Sequence, residues 1–209
     1  MISLCAWHTP NGRKVSVMLE ECALPWTLRK LDLGKAEQFA DWFTAISPYS
    51  KIPAIEDDEG PGGRPIALFE SGAILVYLAE KSGRLLPAEP RERYGVLQWL
   101  MFQIAGVGPM LGQAHHFRLL ATERIPYAIE RYEKEAGRLF AVLERRLAAQ
   151  QYLAGEAFTI ADVATYPWVM RHPNFGISLE NYPAVRRWTD TISARPAVRR
   201  GMEILKPLT

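Results

Sequence analysis

Ile52-Pro53-Ala54-Ile55, followed by Ile66-Ala67-Leu68-Phe69-Glu70-Ser71-Gly72-Ala73-Ile74, decides how this chain folds. The first run enters a strand through a proline. Proline has no N–H to give a ladder, so its place there needs a reason. A trans proline at a strand start is one answer. A cis proline is the other, and it would turn the N–H and C=O of Ile52 toward an extended, peptide-like ligand. The second run ends a strand and at once starts a helical pattern, with Ser71 as its expected cap. Between the runs, residues 57–64 are polar and hold Gly60-Pro61-Gly62-Gly63, which predicts an antiparallel hairpin with a long loop.

Upstream, Ile2 to Ala6 is a short apolar run and an expected strand. Thr9-Pro10-Asn11-Gly12 supplies turn and cap chemistry ahead of a helix whose apolar face holds Val15, Val17, Met18, Cys22 and Leu24. Pro25 stops that helix. Residues 27–33 read as a second strand and residues 35–45 as a second helix, ended by Ser47-Pro48. The element order is βαβαββα. A βαβ unit sets its strands parallel through a right-handed crossover, and the hairpin adds an antiparallel edge. That is the thioredoxin-like order.

Downstream, residues 83–91 carry Gly83, Pro87 and Pro90 and read as a linker, after which strand signals vanish. A long helical pattern over 92–120 is interrupted by Gly106, Gly108 and Pro109, where a bend is expected. Pro126 begins a helix through Ala149, Thr159-Ile160-Ala161-Asp162 has the spacing of a capping box, and shorter helices follow near 182–193 and 196–205. The expected organisation is α/β plus all-α: a thioredoxin-like domain over 1–82, a linker over 83–91 and an all-helical domain over 92–209.

The 209 residues are 48% hydrophobic and 23% charged, with a formal net charge of +2. So small a charge makes no field to recruit nucleic acid or an anionic membrane. Arg186-Arg187 and Arg199-Arg200 read as solvated helix faces. No apolar run approaches the roughly 20 residues of a membrane span, and the N-terminus lacks the basic start of a signal peptide. The two cysteines, Cys5 and Cys22, form neither a CxxC pair nor a metal cluster, and suit a reducing cytoplasm. His115-His116 are adjacent on a helix and point about 100° apart, too far to chelate together, so no metal is expected. The glycines from Gly106 to Gly112 follow no strand and do not have dinucleotide spacing. Trp99, Phe102 and Met110 either pack in the core or line a cleft.

Two places can do chemistry. At Glu70-Ser71 the N–H groups of a helix start favour a carboxylate, and the Glu70 charge suits an ammonium, which together fit an amino-acid head. At Thr9-Pro10-Asn11-Gly12 a helix begins without a thiol. Cys5 is placed inside the first strand and Cys22 late on the buried side of the first helix, where burial raises a thiol pKa and lowers reactivity. Any reacting sulfur must therefore arrive with the ligand.

Residues 47–55, residues 69–74 and Tyr77-Leu78-Ala79 resemble the glutathione-site half of the glutathione transferase superfamily, and Phe158-Thr159-Ile160-Ala161-Asp162 resembles its helical-domain capping box. The likeness runs over nearly the whole chain. Thr9-Pro10-Asn11-Gly12, Leu31-Asp32-Leu33-Gly34-Lys35 and residues 108–117 and 125–132 are similar to the bacterial Nu-class group of glutathione-dependent disulfide-bond oxidoreductases. Two departures stand out: Tyr49-Ser50 lies where relatives often carry Asn, and Trp7-His8 precedes the threonine. The resemblance implies Thr9 and Asn11 near the glutathione sulfur and Gln38 beside the glycyl end. It implies Lys51 near the glycyl carboxylate, the backbone of Ile52 before cis Pro53 on the cysteinyl unit, and Glu70 and Ser71 on the γ-glutamyl head. It further implies a homodimer in which Arg131 reaches the γ-glutamyl region of the neighbouring subunit's site.

The implied activity is disulfide reduction with glutathione as co-substrate and no metal. Thr9 Oγ and the Asn11 amide favour the thiolate, which attacks a disulfide in the helical-domain cleft, and a second glutathione resolves the mixed disulfide. Conjugation of glutathione to small electrophiles is the enzymatic alternative. A non-catalytic glutathione-binding regulatory module on the same fold is the other.

Overall fold

The computed structural model describes residues 1–205. Four strands form one mixed sheet: β1 (Ile2–Ala6), β2 (Trp26–Lys30), β3 (Ala54–Asp57) and β4 (Ile66–Phe69), in the order β2-β1-β3-β4. β1 runs parallel to β2 and antiparallel to β3, and β3 runs antiparallel to β4. β1 is interior in the sheet, so its residues are apolar or small on both faces, and Leu4, Cys5 and Ala6 are fully buried. The edge strands leave Leu28 and Phe69 exposed.

β2 is shorter than its sequence pattern. After Lys30 the chain leaves the ladder, and Leu31 turns inward onto Cys5, Phe43 and Ala54. The expected helix over 35–45 is replaced by two 3₁₀ turns, Leu33–Lys35 and Glu37–Phe39, and a single α turn, α2 (Asp41–Thr44). Local side-chain bonds outcompete the helix here. Asp32 Oδ1 accepts the Gly34 N–H at 2.8 Å, Glu37 Oε2 accepts the Asp32 N–H at 2.7 Å, and Ala36 sits at φ 58°.

Two further helices of this unit are α1 (Pro10–Cys22) and α3 (Ser71–Ser82). Proline suits the first position of α1, where its missing N–H is not needed. α1 packs against α3 and also against the distant α9 (Pro196–Glu203). The described residues thus divide into one compact unit of Met1–Leu86 plus the returning segment 195–205, and a second of Pro87–Ala194. Arg195 fixes the returning segment through a two-pronged ion pair to the buried Glu21, both bonds 2.7 Å. Ser16 Oγ donates to the Gly201 carbonyl at 2.7 Å. A Cβ on Gly201 would lie 2.5 Å from Val17 Cα and 2.6 Å from Val17 N, both backbone atoms that cannot turn aside. Gly201→Ala is therefore expected to push α9 off α1 and lower the urea-unfolding free energy by about 1–3 kcal/mol. An unchanged midpoint would show that the close approach carries no stability.

The second unit is helical: α4 (Pro90–Phe102), α5 (Gly108–His115), α6 (Pro126–Ala149), α7 (Ile160–Val169) and α8 (Pro183–Ser193). The interruption expected at Gly106, Gly108 and Pro109 is absorbed by a π turn, Gln103–Val107, and a second π turn spans His116–Leu120, so 90–120 stays helical throughout. A Cβ at Gly108 would lie 3.1 Å from Gln103 Nε2 and 3.4 Å from the Gln103 carbonyl oxygen, a tight fit. An 18-residue window of this helix reaches mean hydropathy 1.2, so by length and composition alone it is long and apolar enough to cross a membrane. The expectation concerned a continuous apolar run, and here Gln98, Gln103 and the glycines interrupt it. Leu100, Val107 and Leu111 are fully buried within the unit, as core-helix residues are. α6 presents Leu139, Phe140, Leu143 and Leu147 to the same core, and α7 is buried on all sides.

Candidate functional site

Strand register gathers the expected site residues of the first unit. Cys5 at the end of β1 faces Ala54 at the start of β3, and Ala54 faces Phe69 at the end of β4. Ala6 faces Lys30 at the end of β2. The segments leaving those four strand ends carry Thr9 and Asn11, Ile52 and Pro53, Glu70 and Ser71, and Gln38. They all grow from one edge of the sheet, as ligand sites of open α/β sheets do.

Thr9 is the N-cap of α1, and its Oγ1 accepts the Gly12 N–H at 3.2 Å. One lone pair is thereby used, and the hydroxyl hydrogen remains a donor. Asn11 is half-buried in the first turn, which holds no acidic residue, so nothing on α1 neutralises the positive end of its dipole. Gly12 lies so close to the strand exit that an added Cβ would sit 2.5 Å from the Trp7 carbonyl oxygen.

The Ile52–Pro53 peptide is cis, as one of the two sequence readings held. Pro53 is buried and Ile52 half-buried, just outside the ladder that begins at Ala54. Ser47 Oγ donates to the Lys51 carbonyl at 2.8 Å and fixes the approach. Ser50 has φ 54°, a region that Asn enters more readily than Ser, which gives a backbone reason for an Asn beside this place. Lys51 is exposed, its Nζ 5.5 Å from the centre of the Tyr49 ring. Gln38 stands in the second 3₁₀ turn with its Oε1 buried and unbonded.

At α3 the expected cap is displaced by one residue. Glu70, not Ser71, occupies the N-cap position, and its side chain makes no capping bond. Glu70 holds φ 68°, ψ 110°, a conformation costing a non-glycine residue about 1–3 kcal/mol and found mostly where function demands it. Ser71 is the first helical residue, and its Oγ accepts a hydrogen bond of 3.2 Å from Lys14 Nζ. Lys14 is only 1% exposed. Burial lowers its pKa to about 7, with the nearby Glu70 charge opposing. Sequence reading passed over Lys14, although it stands four residues before Met18 and eight before Cys22, on the apolar face of α1.

Neither cysteine joins these residues. Cys5 is fully buried in β1, and burial pushes its thiol up to about 11, with Arg29 opposing. Burial also raises the Cys22 thiol, which accepts a 3.2 Å bond from the Ser82 hydroxyl. Arg131 belongs to the helical unit. It is exposed on α6 and lines an open cavity of about 600 Å³ with Tyr127, Glu130, Lys134 and Arg138. His115 Nε2 lies 3.4 Å from Arg171 Nη2, and burial lowers the His115 pKa, with the Arg171 charge adding to the effect. Among the described residues no group of three or more His, Cys, Asp or Glu side chains is placed to hold a metal ion.

Comparison with known proteins adds family and ligand context. The sequence model of the glutathione S-transferase N-terminal domain matches residues 8–81, and that of the glutathione S-transferase C-terminal domain matches residues 109–196. The disulfide-bond oxidoreductase YfcG of Escherichia coli is 52% identical over 207 residues, spanning 99% of this chain and 95% of YfcG. A glutathione transferase family member from Pseudomonas fluorescens, solved with two glutathione bound, superposes with a TM-score of 0.92 at 45% identity, covering 97% of this chain and 92% of that one. A glutathione transferase from Pseudomonas putida, solved with one glutathione disulfide bound per subunit, gives 0.92 at 42% identity, covering 98% and 92%.

Proposed function

The chain belongs to the glutathione S-transferase family, and on that premise we propose that it is a disulfide-bond oxidoreductase whose reacting sulfur is that of bound glutathione. One observation carries this reading. A helix N-terminus with polar donors and no thiol stands at the ligand edge of the sheet, while both protein thiols are buried with raised pKa values.

Glutathione lies along the edge. The backbone of Ile52 pairs with its cysteinyl unit, beside Pro53, and Glu70 and Ser71 take the γ-glutamyl head. Lys51 and Gln38 serve the glycyl end. The buried, unbonded Oε1 of Gln38 suits a donor from the tripeptide backbone. The sulfur then meets the first turn of α1, where the Thr9 hydroxyl, the Asn11 amide and the helix dipole favour the thiolate. The thiolate attacks one sulfur of a disulfide. A mixed disulfide with glutathione forms, the old S–S bond breaks, and the leaving thiolate takes a proton. A second glutathione thiolate attacks the mixed disulfide at the glutathione sulfur and releases the other thiol. The balance is two glutathiones oxidised to glutathione disulfide and one disulfide reduced to two thiols.

The working form is a homodimer, with Arg131 of each subunit reaching the γ-glutamyl region of the other's site. An exposed arginine on the wall of a broad cavity suits that role. A cytoplasmic setting, which keeps glutathione and both cysteines reduced, suits the chemistry.

A Cys5→Ala, Cys22→Ala double variant is expected to keep most of the glutathione-dependent reduction of a small disulfide. Complete loss in a folded variant would return the chemistry to a protein thiol. Calorimetry with millimolar glutathione and glutathione disulfide is expected to show binding, and none would overturn the reading.

A further inference from the structure

Lys14 is the charged group that the mechanism above leaves unused. A lysine is almost never buried as deeply as this without a partner or a task. A buried amine gives up its hydration, and an apolar side chain of similar volume is often as stable or more so at such a place. The direction of the amine bears on the ligand site. Nζ donates to Ser71 Oγ at 3.2 Å, so the Ser71 oxygen is an acceptor on its inner side and its hydrogen is directed elsewhere. Ser71 is also the first residue of the twelve-residue α3, whose leading N–H groups have no partner within the helix. A hydroxyl donor, helix-start N–H groups and a buried amine thus converge on one point. All three favour a carboxylate. Glu70, one residue away and exposed, favours the ammonium of the same amino-acid head.

Resting on the glutathione reading above, we propose that Lys14 is a positioning residue for the α-carboxylate of the γ-glutamyl unit. It orients the Ser71 hydroxyl toward that carboxylate and sets a positive charge behind it. The binding of γ-glutamyl compounds then depends on a residue that does not itself touch them. Specificity for that head over other amino-acid heads is set from beneath the first turn of α3.

The test compares three thiols with wild type and Lys14→Met, using a small disulfide as acceptor. They are glutathione, 4-aminobutyryl-cysteinyl-glycine, which lacks the α-carboxylate, and γ-glutamylcysteine, which lacks the glycine. Lys14→Met is expected to raise KM for glutathione and for γ-glutamylcysteine by about tenfold or more. It is expected to leave kcat for both nearly unchanged and to leave KM for the decarboxylated analogue unaltered. Lys14→Gln, which removes the charge but keeps a polar side chain, is expected to raise KM for the same two thiols and stands in if Lys14→Met fails to fold. An unchanged KM for glutathione in a folded variant overturns the proposal. So does an equal rise for all three thiols, because a merely structural lysine would not discriminate among them. A wild type that uses none of the three thiols overturns the glutathione reading itself, an outcome visible before any variant is made.

Discussion

Asp162→Ala unfolds at a lower urea concentration than the wild type, with a loss of more than about 3 kcal/mol. Asp162 is fully buried, and both of its oxygens are doubly used. Oδ1 accepts the Leu153 N–H and the Trp188 indole N–H, each at 2.9 Å. Oδ2 accepts the Thr159 N–H at 3.0 Å and the Thr159 hydroxyl at 3.1 Å. Alanine strands three N–H donors in the interior of the helical unit, each costing about 1–3 kcal/mol when left unsatisfied. It also breaks the capping box at the start of α7. Burial raises the pKa of this carboxyl, and its four hydrogen-bond donors oppose that rise. Asp162→Asn keeps the shape but turns an NH₂ toward donors, and is expected to lose nearly as much. A loss under about 1 kcal/mol with an unchanged m-value would mean that water or rearrangement satisfies the donors, and would remove Asp162 as the centre of the unit.

That carboxylate also marks where reading the sequence stops. Thr159 and Asp162 are three residues apart, so their mutual capping follows from spacing alone, and the structure forms it as expected. The bonds to Trp188 and Leu153 cross 26 and 9 residues and leave no periodic trace. The same division runs through the first unit. Pro53 alone left trans and cis both open and the cis form followed from the family pattern around it, whereas the four strands were legible, because apolar runs are local signals. The helix expected over 35–45 was not, because Asp32 and Glu37 bond to nearby backbone and Ala36 takes a left-handed turn without a glycine to announce it. The seat of α9 on α1 was also hidden: it depends on the absence of a Cβ at Gly201, 184 positions beyond Val17. In the candidate site Thr9 was legible as a cap, whereas Ser71 was placed one residue off, since the unusual φ of Glu70 moves the helix start. Lys14 was overlooked because its charge argues for solvent while its helical position argues for the core, and the second argument wins.

Thr9→Ala tests the centre of the proposed chemistry, and its decisive readout is a pKa rather than a rate. The Thr9 oxygen serves α1 as a cap through the Gly12 N–H, so its loss lowers stability by about 1 kcal/mol. The hydroxyl hydrogen is the part that meets the glutathione sulfur. A hydrogen bond to a charged group is worth about 1.5–3 kcal/mol, so losing it raises the pKa of the bound thiol by about 1–2 units. The sign follows from charge: the bond favours thiolate, and without it the thiol form gains. Near neutral pH the variant holds less thiolate, yet each thiolate is more basic and more nucleophilic, with a Brønsted slope of about 0.4–0.5. The two effects offset in part, and the rate falls by only about 3- to 10-fold. Above the raised pKa the fraction no longer differs, and the variant becomes as fast as the wild type or faster. The pH–rate profiles of the two proteins therefore cross. Thr9→Ser keeps both the cap and the donor and is expected to track the wild type. The ultraviolet absorbance of thiolate in the glutathione complex, titrated in all three proteins, measures the shift directly. If Thr9→Ala binds glutathione with an unshifted thiol pKa, the sulfur does not lie at the α1 N-terminus, and the activating group must be sought elsewhere along the sheet edge.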